Sequence, residues 1–229
     1  MSGGKLIAEL YGNTGLTHSQ TIMPMVQSLL SIAGAEAGEM DVFAVSVGPG
    51  SFTGLRIGIA AVKGMAMAAE KPCAPISTLH GLALNLPFHS GFIVPVLDAR
   101  RMQVYTALFE GGIKGVTRVS GDEAISLDEL SGRLSALPGY KILVGDGACL
   151  AAEELKKKEI EQIDVAPPPF LYQRAASLCV AAREMAAAGG LVAARELAPI
   201  YLRLPQAERE LNNRQRESGI KYHGDKQKK

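Results

Sequence analysis

Residues 48–54 of the sequence, GPGSFTG, form a glycine-rich turn between an apolar run and a predicted helix. Backbone N–H groups at such a turn are free to bind an anion. The spacing differs, however, from both common phosphate motifs. The P-loop has four residues between its glycines, followed by Lys and Ser or Thr, and the dinucleotide motif would need a glycine at Thr53. The turn is therefore only a weak indication of a nucleotide site.

Ser51 lies on the same turn and is a candidate nucleophile for a hydrolase. In the nucleophile elbow the serine has a glycine two residues away on each side, whereas this sequence has Pro49 and Thr53 at those positions. The histidines, at positions 18, 80, 89 and 223, have no evident partnership with Ser51. The motif thus gives little support to a peptidase.

The spacing of histidine and cysteine predicts no metal site. No two histidines lie four residues apart on a predicted helix, and the three cysteines form no CxxC pair. The carboxylates that could meet across a cleft are Asp98, Glu123, Asp128 and Asp146. Nothing in the sequence brings these carboxylates together, so we expect neither a cofactor nor a metal.

The helix after the turn carries small residues along one side. Gly54, Gly58, Ala61, Gly64 and Ala68 recur at intervals of three or four residues, which places them on one face of a helix. Glycine inside a helix costs about 0.5–1 kcal/mol relative to alanine, so the pattern requires a compensating contact. Close packing within this chain and docking of another protein explain it equally well.

The elements that position this turn alternate between strand and helix, which is typical of an α/β fold. Residues 5–11, KLIAELY, are predicted as a short strand, and residues 42–47 as a buried strand. A helix over 17–33 would begin with a capping box formed by Thr17 and Gln20.

A hairpin is predicted further along the chain and implies a mixed sheet. Its strands would cover 92–97 and 103–110, on either side of a charged connection. The remaining predicted elements are strands at 73–77 and from 141, and helices at 78–86, 127–137, 147–158 and 173–188.

The composition excludes several classes of protein. The 229 residues include 24 basic and 23 acidic side chains, for a net charge of +1, so the chain lacks the overall positive charge of a direct nucleic-acid binder. Its most apolar stretch, 55–69, is interrupted by Arg56 and Lys63 and is too short to span a bilayer. The N-terminus does not read as a signal peptide. Scattered cysteines suit a reducing compartment, so we expect a cytoplasmic protein.

Six segments, taken in order from about Lys5 to Glu210, together resemble the bacterial TsaB family. They are HSQTIMPMV, GPGSFTGLRIGIAAVKGMA, STLHGLA, LDARRMQVYTALFE, VGDGA and PIYLRLPQAERE. The segment GPGSFTGLRIG is the most specific of them. The family consists of tRNA threonylcarbamoyladenosine biosynthesis proteins, which are the dimerisation subunits of a threonylcarbamoyltransferase complex.

The resemblance implies an actin-like ATPase, or RNase H-like, fold of two lobes with mixed sheets. The lobes would cover 1–98 and 99–207, followed by a polar tail at 208–229. Members of the family usually begin with a strand that carries an Asp-Thr-Ser/Thr turn and is followed by a returning strand. The segment from Gly4 resembles the returning strand. We therefore expect the first strand to be missing, an unpaired sheet edge, and no nucleotide site on that turn.

The resemblance also implies a function without catalysis. Family members support TsaD, a metal-binding catalytic paralogue that transfers threonylcarbamoyl to an adenosine of tRNA, and the ATPase TsaE joins the complex. A homodimer is also possible, tRNA would be contacted only indirectly, and no membrane is involved. The helices mapped to 17–30 and 54–67 would form the interface. The implied interface residues are Thr17, His18, Met23, Val26, Gly54, Arg56, Gly58, Ala61 and Met65.

Two alternative functions remain open. One is an ATPase or phosphotransferase of the same fold that uses Asp98 or Asp146. The other, less favoured, is a peptidase that uses Ser51.

Overall fold

The computed structural model describes residues 1–113 and 115–203, and helices alternate with strands along most of them. The helices are α1 (His18–Ala33), α2 (Phe52–Ala68), α3 (Thr78–Ala83), α4 (Leu127–Ser135), α5 (Ala148–Lys157), α6 (Pro168–Leu171) and α7 (Ala175–Ala187). The strands are β1 (Phe43–Gly48), β2 (Cys73–Ser77), β3 (Gly91–Asp98), β4 (Gln103–Thr106), β5 (Phe109–Gly112), β6 (Gly115–Arg118), β7 (Glu123–Ser126), β8 (Lys141–Val144) and β9 (Ile163–Val165).

The first sheet consists of β1 and β2, which run parallel, with Phe43 opposite Cys73. A parallel pair needs a crossover connection, and α2 provides it. Val45 and Val47 of β1 contact the apolar side of α2, whereas Ile76 of β2 packs against Ala181 of α7. Because side chains alternate along a strand, the two faces of this small sheet are covered by different helices.

The second sheet is centred on β3. This strand runs parallel to β8 on one side and antiparallel to β4 and β5 on the other. Residues 93–97 of β3 are all buried, as expected of a central strand covered on both faces. The main apolar core surrounds this strand and includes residues of α3, α4, α5 and α6 and of strands β4, β5, β7 and β8. The mixed sheet predicted from the sequence is therefore confirmed.

Residues 5–11 form no strand, so that part of the sequence prediction is wrong. Leu6 and Ile7 are 46% and 48% exposed. Glu9 instead forms an ion pair with Arg174 and accepts a hydrogen bond of 3.0 Å from the N–H of Ala176 at the start of α7. The Arg174 guanidinium holds the pKa of Glu9 below its usual range. An apolar sequence pattern does not by itself produce a strand, because a strand needs a neighbouring strand with which to pair.

The predicted hairpin is present, but its second strand is divided. Residues 103–110 form β4 and the start of β5, interrupted at Ala107 and Leu108. Three short strands, β6, β7 and β9, were not predicted because runs of three or four residues carry little periodicity. Within the described residues no helix is long and apolar enough to cross a membrane. The predicted tail at 208–229 lies outside the described residues.

Asn85, just after α3, is a buried polar residue that connects distant parts of the chain. Its amide nitrogen donates to the backbone oxygens of Phe170 and Tyr172, at 2.9 and 2.7 Å. Its amide oxygen accepts a hydrogen bond of 2.7 Å from the hydroxyl of Ser177 on α7. The side chain is 6% exposed, so these bonds replace water that cannot reach the site.

Replacing Asn85 by alanine should destabilise the chain, because two backbone carbonyl oxygens and the hydroxyl of the buried Ser177 would lose their hydrogen-bond partner. We expect Asn85→Ala to lower the free energy of unfolding by about 3 kcal/mol and the Tm by roughly 6–12 °C. Thermal unfolding monitored by circular dichroism measures this. Asn13→Ala, in an exposed segment, is the control, and equal Tm values for both variants would contradict the prediction.

Candidate functional site

The turn between β1 and α2 is shaped by its contact with the segment around Ile200. The N–H of Ile200 donates a hydrogen bond of 2.7 Å to the carbonyl of Val47. Gly48 has φ of +130°, and a Cβ atom there would lie 2.3 Å from the carbonyl oxygen of Ile200. Glycine is therefore required at position 48 for two reasons, its backbone angle and the close approach of another segment.

Ser51 caps α2. Its hydroxyl oxygen accepts a hydrogen bond of 3.3 Å from the N–H of Gly54, which satisfies one of the free N–H groups at the start of the helix. His18 also lies close by, since a Cβ on Gly54 would be 3.1 Å from its Cδ2. No hydrogen bond joins Ser51 to His18 among the described residues, whereas an activated nucleophile is usually hydrogen-bonded to its base. The structure thus gives Ser51 a capping role.

The nine residues implied as interface residues lie on α1 and α2 or cap them, and these helices pack against each other. Thr17 precedes α1, where its N–H donates to Gln20 Oε1 at 3.3 Å. Thr17, His18, Met23 and Arg56 are exposed, whereas Val26, Gly54, Gly58, Ala61 and Met65 are half-buried.

The small-residue side of α2 faces inward more than the sequence suggested. Gly54 lies beside His18 of α1, and a Cβ on Gly58 would lie 4.0 Å from Val45 Cγ2 in β1. Ala61 and Met65 follow Gly58 at intervals of three and four residues, which places them on the same side. Packing within the chain thus accounts for part of the glycine pattern.

A different stripe of α2 faces solvent. It consists of Thr53, Arg56, Ala60, Gly64 and Met67, which are all exposed and recur every three or four residues. We call this set the outward stripe. Sequence reasoning named Arg56 as an interface residue and placed Gly64 on the small-residue face. It did not name Thr53, Ala60 or Met67 individually. The periodicity of the stripe becomes visible in the sequence once the buried side of the helix is known.

α1 adds apolar surface beside α2. None of its sixteen residues is buried. Met23 and Ile32 are 41% and 69% exposed, and Leu16, just before the helix, is 61% exposed. Met23 and Ile32 are nine residues apart, which places them on opposite sides of the helix, so α1 exposes apolar side chains on more than one side. Exposed apolar surface of this kind is found at protein-interaction sites.

A cavity of about 630 Å³ lies beside the turn. Asp98, at the end of β3, and Asp146, after β8, both line it, and the N–H of Asp98 donates a hydrogen bond of 3.0 Å to Asp146 Oδ1. Burial among the protein atoms of the cavity raises the pKa of Asp146, and the charge of Asp98 adds to the rise, while backbone N–H groups oppose it. Asp146 is nevertheless an exposed residue, so solvent screens the carboxylate and limits the penalty.

The other two candidate carboxylates are engaged elsewhere. Asp128 pairs with Lys158, and Glu123 pairs with Arg133. Among residues 1–113 and 115–203 no group of three or more histidine, cysteine or carboxylate side chains could hold a metal ion. Of the four candidate carboxylate residues, only Asp98 and Asp146 therefore lie together.

Comparison with known proteins identifies the family. Residues 13–209 match the family model "TsaD: tRNA N6-adenosine threonylcarbamoyltransferase". The tRNA threonylcarbamoyladenosine biosynthesis protein TsaB of Escherichia coli strain K12 is 33% identical over 189 residues, which cover 81% of this chain and 80% of that protein. The chain belongs to the TsaB family. The TsaB protein of Bacillus subtilis strain 168 is 31% identical over 203 residues, or 89% of this chain and 87% of that protein.

A solved structure agrees with the fold of this TsaB-family chain. It is a Pseudomonas aeruginosa protein described as uncharacterized and similar to the peptidase YEAZ. The TM-score is 0.70 at 26% identity, and the match covers 82% of this chain and 85% of that one. The actin-like, RNase H-like fold with mixed sheets that the sequence implied is thus confirmed.

Gly48→Ala should destabilise this TsaB-family chain, because the new methyl group would clash with the carbonyl of Ile200 in a backbone region that favours glycine. We expect a loss of about 3 kcal/mol in the free energy of unfolding, measured by urea denaturation. Gly50→Ala is the matched control in the same turn, since its Cβ would meet only Leu55 side-chain atoms, at an ordinary 3.9 Å. A wild-type midpoint for Gly48→Ala would show that the turn does not need glycine there.

Asp146→Asn should raise the Tm at pH 7. Because the folded-state pKa of Asp146 lies above its ordinary value, its contribution to stability decreases as the pH rises from that ordinary value through the folded pKa. At neutral pH the charged carboxylate is disfavoured in the folded chain, and the neutral amide removes this cost. The gain should decrease as the pH approaches 4, and thermal unfolding from pH 4 to 8 measures it. Asp41→Asn, at an exposed site, is the control; a lower Tm for Asp146→Asn at pH 7 would show that the carboxylate is stabilised.

Proposed function

We propose that this chain is a non-catalytic subunit in the biosynthesis of tRNA threonylcarbamoyladenosine, and that it binds and supports a TsaD-type transferase. Its place in this pathway rests on the TsaB relatives, which match most of the chain. The observation that carries the proposed binding role is the exposed, charge-poor surface of α1 and α2.

The composition of this surface supports protein binding. α1 contains no Lys, Arg, Asp or Glu, and α2 contains only Arg56 and Lys63. The Lys63 ammonium donates to the carbonyl of Arg195 at 2.8 Å. Depletion of charge and enrichment in methionine are features of the central part of protein interfaces. The outward stripe of α2 and the apolar side chains of α1 would together contact the transferase, and a second copy of the chain could bind there in its absence.

The roles of the polar groups support a function without catalysis. The hydroxyl of Ser51 caps α2, and Asp146 accepts a hydrogen bond from the backbone N–H of Asp98. In this proposal the catalytic groups belong to the TsaD-type partner, the ATPase TsaE joins through the complex, and tRNA is contacted only indirectly in the cytoplasm.

An ATPase or phosphotransferase is the second candidate, because the cavity beside the turn brings Asp98 and Asp146 together. Turnover of ATP by the purified chain alone, lost in Asp98→Asn, would favour this enzyme over the scaffold.

A bulky charge on the outward stripe should prevent binding of the transferase. Gly64 is exposed, and a Cβ there would have no atom within 4 Å, so Gly64→Glu should fold normally. In the complex its carboxylate would be buried without a partner. We expect the Kd for the TsaD-type transferase of the same organism to rise by about tenfold or more, as measured by isothermal titration calorimetry.

Gly132→Glu is the matched control, because Gly132 is also an exposed glycine of a helix, α4, with open space at its Cβ position. If Gly64→Glu and Gly132→Glu bind the transferase equally well, the outward stripe is not the interface. Gly58 is less suitable, since side chains larger than methyl would press on Val45.

A further inference from the structure

Arg56 is held in one orientation by two aromatic rings. Its Nε donates a hydrogen bond of 3.0 Å to the hydroxyl of Tyr201, and its guanidinium carbon lies 4.0 Å from the ring centroid of Phe52. The rings of Phe52 and Tyr201 are themselves stacked, with centroids 4.3 Å apart. A long side chain that usually samples many rotamers is therefore ordered before any partner arrives.

The terminal nitrogens of Arg56 have no partner within the described residues. The hydrogen bond to Tyr201 uses Nε, and no carboxylate or carbonyl of residues 1–113 or 115–203 accepts from Nη1 or Nη2. By contrast, Arg118, Arg133 and Arg174 each pair with a carboxylate. Arg56 is exposed on the outward stripe, where it is the single charged residue.

We propose that Arg56 binds one carboxylate, from an aspartate or glutamate of the partner in the proposed complex, through Nη1 and Nη2 together. This inference rests on the proposed function. With Nε already bound to Tyr201, the end of the guanidinium remains available, and its two parallel N–H groups match the two oxygens of a carboxylate. Because the side chain is already ordered, less conformational entropy is lost on binding.

The surroundings of Arg56 favour a carboxylate over an RNA backbone. Binding to nucleic acid relies on several cations that neutralise successive phosphates, whereas Arg56 is the single charged residue of the outward stripe. Lys63, the other cation of α2, is bound to carbonyl oxygens of residues 195 and 197. The nearby cavity is lined by Asp98 and Asp146 but also by Arg100 and Arg203. It therefore offers no run of positive charge for a polyanion. One cation with aromatic neighbours on an apolar surface is typical of a binding hot spot between proteins.

The test compares Arg56→Met, Arg56→Lys and the wild-type full chain in binding to the TsaD-type transferase of the same organism. Methionine keeps much of the apolar stem and removes the charge, whereas lysine keeps the charge but cannot form a bidentate contact with a carboxylate. We expect Arg56→Met to raise the Kd by about 10- to 100-fold and Arg56→Lys to restore only part of the loss. Added salt should weaken the wild type more than Arg56→Met.

Arg183→Met is the control, since Arg183 is an exposed arginine of α7, on the opposite face of the first sheet from α2.

A Kd for Arg56→Met within about twofold of the wild type, with Gly64→Glu still defective, would overturn the carboxylate contact and leave the proposed function standing. Normal binding by Arg56→Met and Gly64→Glu alike would overturn both. Full affinity in Arg56→Lys would show that charge alone suffices and would reject the bidentate contact. A lower Tm for Arg56→Met with an unchanged Kd would assign Arg56 to the stability of its own chain.

Discussion

The hydrogen bond from Ile200 to the carbonyl of Val47 is the contact on which the arrangement around α2 depends. It can form only because Gly48 has no side chain to separate the two backbones. From that contact the chain continues directly to Tyr201, whose ring stacks on Phe52 at the start of α2. The same segment reaches Arg203, which donates to the carbonyl of Ala99 and so borders the cavity. The absence of a side chain at Gly48 therefore allows the contacts that position both α2 and the cavity beside it.

The exposed apolar surface follows from the small size of the first sheet. Within the described residues the first sheet has only two strands, β1 and β2. One of its faces is covered by α2 and the other by α7. α1 then has α2 as its main packing partner, and none of its residues becomes buried. An apolar helix that its own fold leaves uncovered favours association with another protein.

Much of the fold could be predicted from the sequence, because local patterns specify α1, α2, β1 and the mixed sheet. The strand predicted at residues 5–11 is absent, because this segment has no neighbouring strand with which to pair. Glu9 forms an ion pair with Arg174 instead. The pairing of Asp98 with Asp146, and of Arg56 with Tyr201 across 145 positions, joins residues far apart in sequence. The periodicity of a sequence does not predict such contacts, because they depend on how the two sheets are arranged relative to each other.

The stack of Phe52, Tyr201 and Arg56 has a thermodynamic consequence. It joins α2 to the segment around Ile200, which is also attached to β1 through Val47, so the free energies of the two attachments are linked. A molecule that drew the segment around Ile200 away from β1 would release the arginine and lower the affinity of the helix for its partner. By the same reciprocity, a partner bound to the arginine would hold that segment against the sheet. The proposed docking surface would thus respond to the position of the segment around Ile200 without any movement of α2 itself.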